Sequence, residues 1–132
     1  MMDEQVSGAE LEAITRRHAN LWSTHDAEAV SELYDEDCDE DVAQRVVMKG
    51  RDGVKTWAKG MFAAIPDIHV ELTLIAASGG VTAREYVIAG THAASGKQIS
   101  IRGVSMLEFH GTKIIRNSDY YDAGSFAAQT TS

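Results

Sequence analysis

The segment Val54–Leu74, VKTWAKGMFAAIPDIHVELTL, changes its hydrophobic period at Pro66. Before the proline, apolar residues recur at the spacing of one helix face, and they are Val54, Trp57, Met61 and Ile65. After it, apolar and polar residues alternate as in a strand with one buried face, the apolar positions being Ile68, Val70, Leu72 and Leu74. The segment therefore predicts a helix that ends at Pro66, followed by a half-buried antiparallel strand.

Two further helices are predicted on the N-terminal side of this segment. Ser7–Glu10 has the composition of a capping box, and residues at helical spacing follow it: Leu11, Ile14, His18, Leu21 and Trp22. Asp26 is placed to cap a second, shorter helix whose inward side includes Val30. The run Asp35–Asp41, which is acidic apart from Cys38, then predicts a solvated loop.

On the C-terminal side, glycine-containing turns separate long alternating strands, and these turns are Ser78–Gly80, Ser95–Lys97 and His110–Thr112. The strands between the turns extend over about Val81–Gly90 and Gln98–Phe109. Helices followed by a meander of strands predict the α+β class, with helices packed on one face of a curved antiparallel sheet. Since no linker or internal repeat divides the chain, we expect a single domain over residues 1–132.

The charge of the chain narrows the range of partners. Its 132 residues carry a formal net charge of −8, which argues against nucleic acid or an anionic membrane as the partner. No apolar run is long enough to span a bilayer, and Met1–Gly8 lacks the basic and apolar regions of a signal peptide. We therefore predict a cytoplasmic protein whose ligand is small and neutral.

Residue types that bind metals are few and scattered. Cys38 is the single cysteine, so no intrachain disulfide can form, and its acidic neighbours disfavour a reactive thiolate. The five histidines show no local pairing of the kind that a metal site needs. The sequence therefore predicts neither a metal site nor a catalytic cysteine.

The strand-like run Lys113–Asp122, KIIRNSDYYD, places a carboxylate among apolar and aromatic residues. Side-chain alternation puts Ile114 on one face, and it puts on the other face Ile115, Asn117, Asp119 and Tyr121. Partial desolvation on that second face would raise the pKa of Asp119 toward the range of general acid–base catalysis near neutral pH. In the alternative interpretation, this is a surface strand in which Asp119 is solvated and Asp122 caps a short helix.

Five short motifs follow one another along the chain: Gly50–Val54, Pro66–Asp67, Gly90–His92, Gly96–Lys97 and Asp119–Asp122. Their order and spacing resemble the SnoaL-like branch of the NTF2-like superfamily, from about Ala13 to Gln129. The resemblance implies a cone, in which a strongly curved sheet wraps around the N-terminal helices and encloses an apolar pocket. It also implies that homodimers are frequent. Because an open sheet leaves apolar residues on its outer face, here Val81, Ala83, Val87 and Ala89, we expect a homodimer packed sheet to sheet.

The superfamily includes polyketide cyclases, ketosteroid isomerases, dehydratases and limonene epoxide hydrolases. The DYYD motif at residues 119–122 is similar to the DYFD of the epoxide hydrolases, which implies that Asp119 is the pocket carboxylate. Other hydrolase positions do not match: an Arg and an Asp are replaced by Tyr86 and Ile88, and a Tyr and an Asn by Glu40 and Val42. Because water activation needs those positioning groups, epoxide hydrolysis ranks third among the predicted activities.

The register implied by the resemblance turns a mixed polar wall toward the pocket, formed by Arg84, Tyr86, Ile88, Asn117, Asp119 and Tyr121. With Asp119 as base and Tyr86 or Asn117 as hydrogen-bond donor, this wall could remove a proton from carbon and hold the resulting enolate without a cofactor. His18 is a second candidate for proton transfer. In the alternative, Arg84 and Asp119 form a buried ion pair with only a structural role.

The residues predicted to bind the ligand are Trp22, Trp57, Met61, Ile65, Ile88, Ile101 and Tyr121. Helical spacing of Trp57, Met61 and Ile65 fits core packing equally well. We predict a small cofactor-independent enzyme, a cyclase, isomerase or lyase, that transfers protons on a hydrophobic, oxygen-bearing molecule such as a polyketide or terpenoid. The alternative is a non-catalytic module that uses the same cone to bind a small molecule or a partner chain.

Overall fold

The computed structural model of the protein describes residues 6–44 and 46–131. The helices within these ranges are α1 (Gly8–Ser23), α2 (Ala27–Glu32), α3 (Gly50–Ala64) and α4 (Ala123–Thr130). The third helix, predicted from its apolar spacing, ends two residues before Pro66. The prediction about a signal peptide rests on Met1–Gly8, of which residues 1–5 lie outside the described residues.

The strands form one mixed sheet. They are β1 (Tyr34–Val42), β2 (Val46–Lys49), β3 (His69–Ser78), β4 (Val81–Thr91), β5 (Gln98–His110) and β6 (Lys113–Tyr121). Their order across the sheet is β2-β1-β6-β5-β4-β3, and every neighbouring pair is antiparallel except β1 and β6. The predicted α+β class, with helices and a curved, mostly antiparallel sheet, is confirmed.

The predicted helix caps are present. The Ser7 hydroxyl accepts a hydrogen bond from the Glu10 N–H at 3.1 Å, and the Asp26 carboxylate accepts from the N–H three residues later at 3.0 Å. Asp122 caps α4 by accepting from the Gly124 N–H at 2.9 Å. These side chains satisfy N–H groups that a helix leaves unpaired at its start, and they set where α1, α2 and α4 begin.

The acidic run Asp35–Asp41 is a strand, so the loop prediction is wrong. Within β1, alternate side chains are buried, at Cys38, Glu40 and Val42, while most of the acidic side chains between them point outward. Residues 39–42 of the strand are paired on both sides, with β2 and with β6. Because the inward residue Glu40 is itself acidic, the sequence does not show the alternation of apolar and polar residues that predicts a strand.

Two β-bulges move residues away from their predicted faces. The pairing of β5 with β6 shifts register at Ile115, and the residue that points into the core is Ile114, not Ile115. The pairing of β3 with β4 shifts between Leu72 and Leu74, which leaves Leu74 exposed rather than half-buried. A strict alternation cannot anticipate an extra residue, so the face assignment fails on one side of each bulge, at Ile115 and at Leu74.

The core lies between the helices and one face of the sheet. Helix α1 packs on β3 and β4, and α3 packs on α2 and β1. The largest core side chains include Tyr34, Ile65, Leu107 and Ile114, each with essentially no exposed surface. Further inward side chains of β1, β4, β5 and β6 surround a cavity between the sheet, α1 and α3.

Candidate active site

A cavity of about 140 Å³ lies between the inner face of the sheet and helices α1, α3 and α4. All of the residues predicted as catalytic line it, namely His18, Arg84, Tyr86, Asn117 and Asp119. So do all of those predicted to bind a ligand, namely Trp22, Trp57, Met61, Ile65, Ile88, Ile101 and Tyr121. The fold thus brings the predicted residues to one place, and their individual roles stay predictions.

Sequence reasoning missed several residues of the same wall. Glu40 and Val42 reach the cavity from β1, Ser105 from β5 and Phe126 from α4. Tyr34, at the start of β1, is buried behind Glu40 and contacts it directly. Only Cys38 and Val42 indicate the inward face of this strand, and the acidic residue between them hides the alternation that would have placed Glu40.

A chain of buried hydrogen bonds runs from Arg84 to Glu40. Arg84 Nη2 donates to His18 Nδ1 at 2.8 Å, and a guanidinium can only donate. Nδ1 is therefore the acceptor, so the proton of the neutral imidazole is on Nε2 and is donated to the Tyr34 hydroxyl oxygen at 2.9 Å. The Tyr34 hydroxyl in turn donates to Glu40 Oε1. The guanidinium thus fixes the direction of every bond in the chain.

His18 is held neutral in this position. Burial, and then the positive charge of Arg84, lowers its pKa well below the usual value. Since both ring nitrogens are engaged, His18 has no free nitrogen with which to accept a proton from a ligand. This arrangement favours a positioning role over the direct proton transfer that was its predicted alternative.

Asn117 joins the same group from β6. Its Nδ2 donates to the Tyr34 hydroxyl at 3.0 Å and to Glu40 Oε1 at 3.1 Å. Tyr34 and Asn117 therefore both donate to the same carboxylate oxygen of Glu40, Oε1. Among the described residues no donor reaches the other oxygen, Oε2, so this atom of Glu40 is left for a ligand in the cavity.

Asp119 has its own set of donors. The Ser105 hydroxyl donates to Asp119 Oδ1, and the Tyr86 hydroxyl also forms a hydrogen bond with this carboxylate. The close approach of Tyr86 depends on Gly103, since a Cβ there would lie 2.6 Å from the Tyr86 hydroxyl oxygen. A glycine on β5 therefore makes room for the phenol that reaches Asp119.

The pKa values of both carboxyl groups are raised. Burial, followed by the charge of Asp119, raises the pKa of Glu40 to about 7. Burial also raises the pKa of Asp119, although hydrogen bonds from Ser105 and the charge of Arg84 act in the opposite direction. Because the charge of Asp119 disfavours ionisation of Glu40, a proton on one of the two carboxyls favours the ionised form of the other.

Arg84 and Asp119, both within the described residues, do not form the buried ion pair of the structural alternative. The guanidinium donates to the Thr15 carbonyl at 3.1 Å and to His18. Arg84 Nε and Asn117 Oδ1 are buried without a hydrogen-bond partner from the described part of the chain. The charge of Arg84 still lowers the pKa of both Glu40 and Asp119 through space.

The remaining candidates are held in structural contacts. His25 bonds the Ile68 carbonyl at 2.8 Å, and His92 bonds the Ser95 hydroxyl at 2.8 Å. Burial, and then the charge of Glu40, raises the pKa of Cys38 to about 11, which disfavours its thiolate. No group of three or more His, Cys, Asp or Glu residues suited to a metal ion occurs in residues 6–44 and 46–131.

The family model that describes SnoaL-like polyketide cyclases matches residues 12–130 of the chain. The protein therefore belongs to the SnoaL-like polyketide cyclase family, as the order of its motifs indicated. A comparison with curated proteins finds no significant match. Among the described residues, no helix has the length and apolar character needed to cross a membrane.

Solved structures share the fold at low sequence identity. A SnoaL-like polyketide cyclase from Jannaschia sp. CCS1 has a TM-score of 0.87 at 11% identity, covering 98% of this chain and 97% of that chain. A hypothetical protein from Catenulispora acidiphila, with a ketosteroid isomerase-like fold and in complex with trimethylamine, has a TM-score of 0.83 at 24% identity, covering 89% and 91%. An LEH-like epoxide hydrolase from M. tuberculosis has a TM-score of 0.80 at 15% identity, covering 93% and 90%.

Proposed function

We propose that this protein is an enzyme that transfers protons on a hydrophobic, oxygen-bearing small molecule, as a cyclase or isomerase does, and that it needs no cofactor. One observation carries the proposal: Glu40 and Asp119, two carboxyls with raised pKa values, line one largely apolar cavity. General acid–base catalysis works best when the pKa of the catalytic group is near the working pH. Buried carboxyls at a ligand cavity are suited to that task.

In the proposed mechanism Asp119 is the base, because hydrogen bonds from Ser105 and Tyr86 stabilise its ionised form. It removes a proton from a carbon next to a carbonyl group, and the negative charge moves to the carbonyl oxygen. The protonated Glu40 donates a hydrogen bond to that oxygen, worth about 3 kcal/mol when well aimed. Asp119 then returns the proton to the original carbon or to another one, which completes an isomerisation.

The alternative is a non-catalytic module that uses the same cavity only to bind. A binding site for an apolar ligand gains little from two desolvated carboxyls, since their burial is costly. Epoxide hydrolysis stays third, because Tyr86 and Ile88 stand where those hydrolases place an Arg and an Asp. Solvent exchange of the α-protons of cyclohexanone, followed by NMR in D₂O, separates an enzyme from a binder, since only proton transfer accelerates it.

We also propose a homodimer, packed through the outer face of the sheet. The outward residues Val81, Ala83, Val87 and Ala89 are half-buried in the single chain. Neighbouring strands add large exposed apolar side chains at Val104, Met106 and Tyr120, and cross-strand pairing puts Met106 beside Ala83. An apolar face of this kind is suited to a second copy of the chain. The cytoplasmic location stays a prediction.

A further inference from the structure

We propose that the cavity accepts an uncharged molecule of one ring or an equivalent short chain, with one oxygen at its polar end, and excludes molecules of two or more fused rings. This deepens the proposed function, because it assigns the substrate class of the same cavity. It separates this chain from the multi-ring ligands that the name of its family suggests. Three features of the cavity favour such a ligand: its volume, the packing of its walls and its balance of charge.

The volume sets the size of the ligand. The cavity measures about 140 Å³, close to the roughly 150 Å³ of an engineered apolar cavity that holds benzene. Pockets for drug-sized ligands measure about 300–1,000 Å³. A single six-membered ring with one oxygen therefore fills the available space, and a second fused ring does not fit.

Packing behind the walls keeps the cavity from expanding. Ile65, Ile99 and Ile101 line it and are at most 5% exposed, so they are part of the core. Trp22 packs edge-on against Phe62, with ring centroids 5.2 Å apart. Since interiors are close-packed and resist changes of volume, a larger ligand would have to displace core side chains.

Charge balance selects a neutral ligand. The cavity-lining groups with charge or titratable protons are His18 from α1, Glu40 from β1, Arg84 and Tyr86 from β4, and Asp119 and Tyr121 from β6. Burial raises the pKa values of Glu40 and Asp119 and so disfavours a second negative charge beside the single positive charge of Arg84, while His18 is held neutral. A cation or an anion would enter a site with no surplus charge to pair with it and would lose its hydration.

Four polar side chains are gathered on neighbouring strands, which orients the ligand. Glu40, Ser105, Asn117 and Asp119 all lie on three adjacent strands, β1, β6 and β5. The opposite wall is formed by Trp57 and Met61 from α3. A ring carrying one hydroxyl or carbonyl group can therefore place its oxygen at the strands and its carbon skeleton against the helix.

Binding of three phenols of increasing size tests this proposal. The probes are phenol, 2-naphthol and 2-anthrol, with dissociation constants measured by calorimetry or by quenching of tryptophan fluorescence. In an open apolar pocket affinity would rise with each ring, because more apolar surface is buried. We expect the reverse order, with phenol at least tenfold tighter than 2-naphthol. Equal or tighter binding of 2-naphthol, or no binding of phenol, would overturn the proposal.

A substitution that enlarges the cavity tests whether its walls limit the size of the ligand. Ile88→Ala enlarges the cavity and should improve 2-naphthol binding at least tenfold, with Ile88→Val as a milder change if the first does not fold. Val47→Ala removes apolar atoms from an exposed side chain of β2 and should leave the order unchanged. If Ile88 variants that fold leave naphthol binding unchanged, the volume argument is wrong.

Charged probes test whether the cavity selects an uncharged ligand. Benzylammonium and benzoate should each bind at least tenfold more weakly than phenol. If either ion binds more tightly than phenol, the cavity does not select a neutral ligand. These binding tests are independent of turnover. Tight phenol binding without cyclohexanone exchange would count against the proposed chemistry alone, while exchange with naphthol bound more tightly would count against the size limit alone.

Discussion

The carboxyl groups of Glu40 and Asp119 face one cavity from neighbouring parallel strands. Glu40 pairs with Asn117 across β1 and β6, and Asp119 pairs with Val42 two residues further along. Parallel pairing thus brings an acidic residue from the first strand beside one from the last. Each has its own donors, Tyr34 and Asn117 for Glu40, and Ser105 and Tyr86 for Asp119. The two carboxyls therefore face the same cavity with separate sets of hydrogen-bond donors.

Removal of the Tyr34 hydroxyl should raise the pKa of Glu40 above about 7, because a hydrogen bond from Tyr34 favours the ionised carboxylate. The measurement is a carbon-13 NMR titration of the glutamate carboxyls in Tyr34→Phe. Tyr120→Phe removes a hydroxyl from a phenol that is 44% exposed and is the matched control. An unchanged or lower pKa in Tyr34→Phe would contradict the hydrogen-bond chain.

The dependence of stability on pH should reflect Glu40. Its pKa is about 7 in the folded protein and has an ordinary value of 4.5, so the folded state binds more protons between these two values. Stability therefore falls as pH rises through that window and changes no further above it. We expect the free energy of unfolding of the wild type, relative to Glu40→Gln, to decrease from pH 5 to pH 8 in urea titrations. A relative increase would show that Glu40 is not desolvated.

Adding a methyl group at two glycines should give opposite results. Gly103→Ala places a Cβ 2.6 Å from the Tyr86 hydroxyl and 2.9 Å from the Tyr120 carbonyl, so we expect lower stability and lower turnover. Gly60→Ala lies in α3, where nothing is within 4 Å of the new atom, and should stabilise by up to about 1 kcal/mol. Thermal unfolding of both variants measures the difference. Equal effects would mean that Tyr86 does not need the space at Gly103.

The proposed dimer should depend on the outer face of the sheet. Met106→Lys introduces a charge at an exposed apolar position and should convert a dimer to a monomer in light scattering at micromolar concentration. Val47→Lys changes an exposed apolar residue on β2 and should leave the mass unchanged. A monomeric wild type would contradict the proposal.

Local patterns in the sequence were sufficient for much of the fold. The period of α3 and the caps at Ser7, Asp26 and Asp122 are local signals, and each is present in the structure. The strand β1 was missed because its inward position 40 is acidic, and a hydrophobic pattern cannot include a buried carboxylate. The bulges at residues 73 and 115 depend on pairing with another strand, which single-strand alternation does not contain.

Only part of the candidate site could be predicted from the sequence. Asp119 and Arg84 could be placed on inward faces from the strand register, and both line the cavity. The hydrogen bonds from Arg84 through His18 to Tyr34 join residues that are distant in the chain. The spacing of residues in the sequence therefore could not predict them. Glu40 enters the site through the one parallel pairing of the sheet, which the predicted meander did not include.

The role of Asp119 as the base is tested most directly by the rate of α-proton exchange of cyclohexanone in D₂O with Asp119→Asn. This change keeps the shape of the side chain and removes the base, so the exchange rate should fall on the order of a hundredfold or more while phenol binding persists. Asp122→Asn, the control, should cost about 1 kcal/mol of stability or less and leave the rate near that of the wild type. Wild-type exchange in folded Asp119→Asn, or loss of exchange in Asp122→Asn instead, would contradict the central claim that Asp119 is the base.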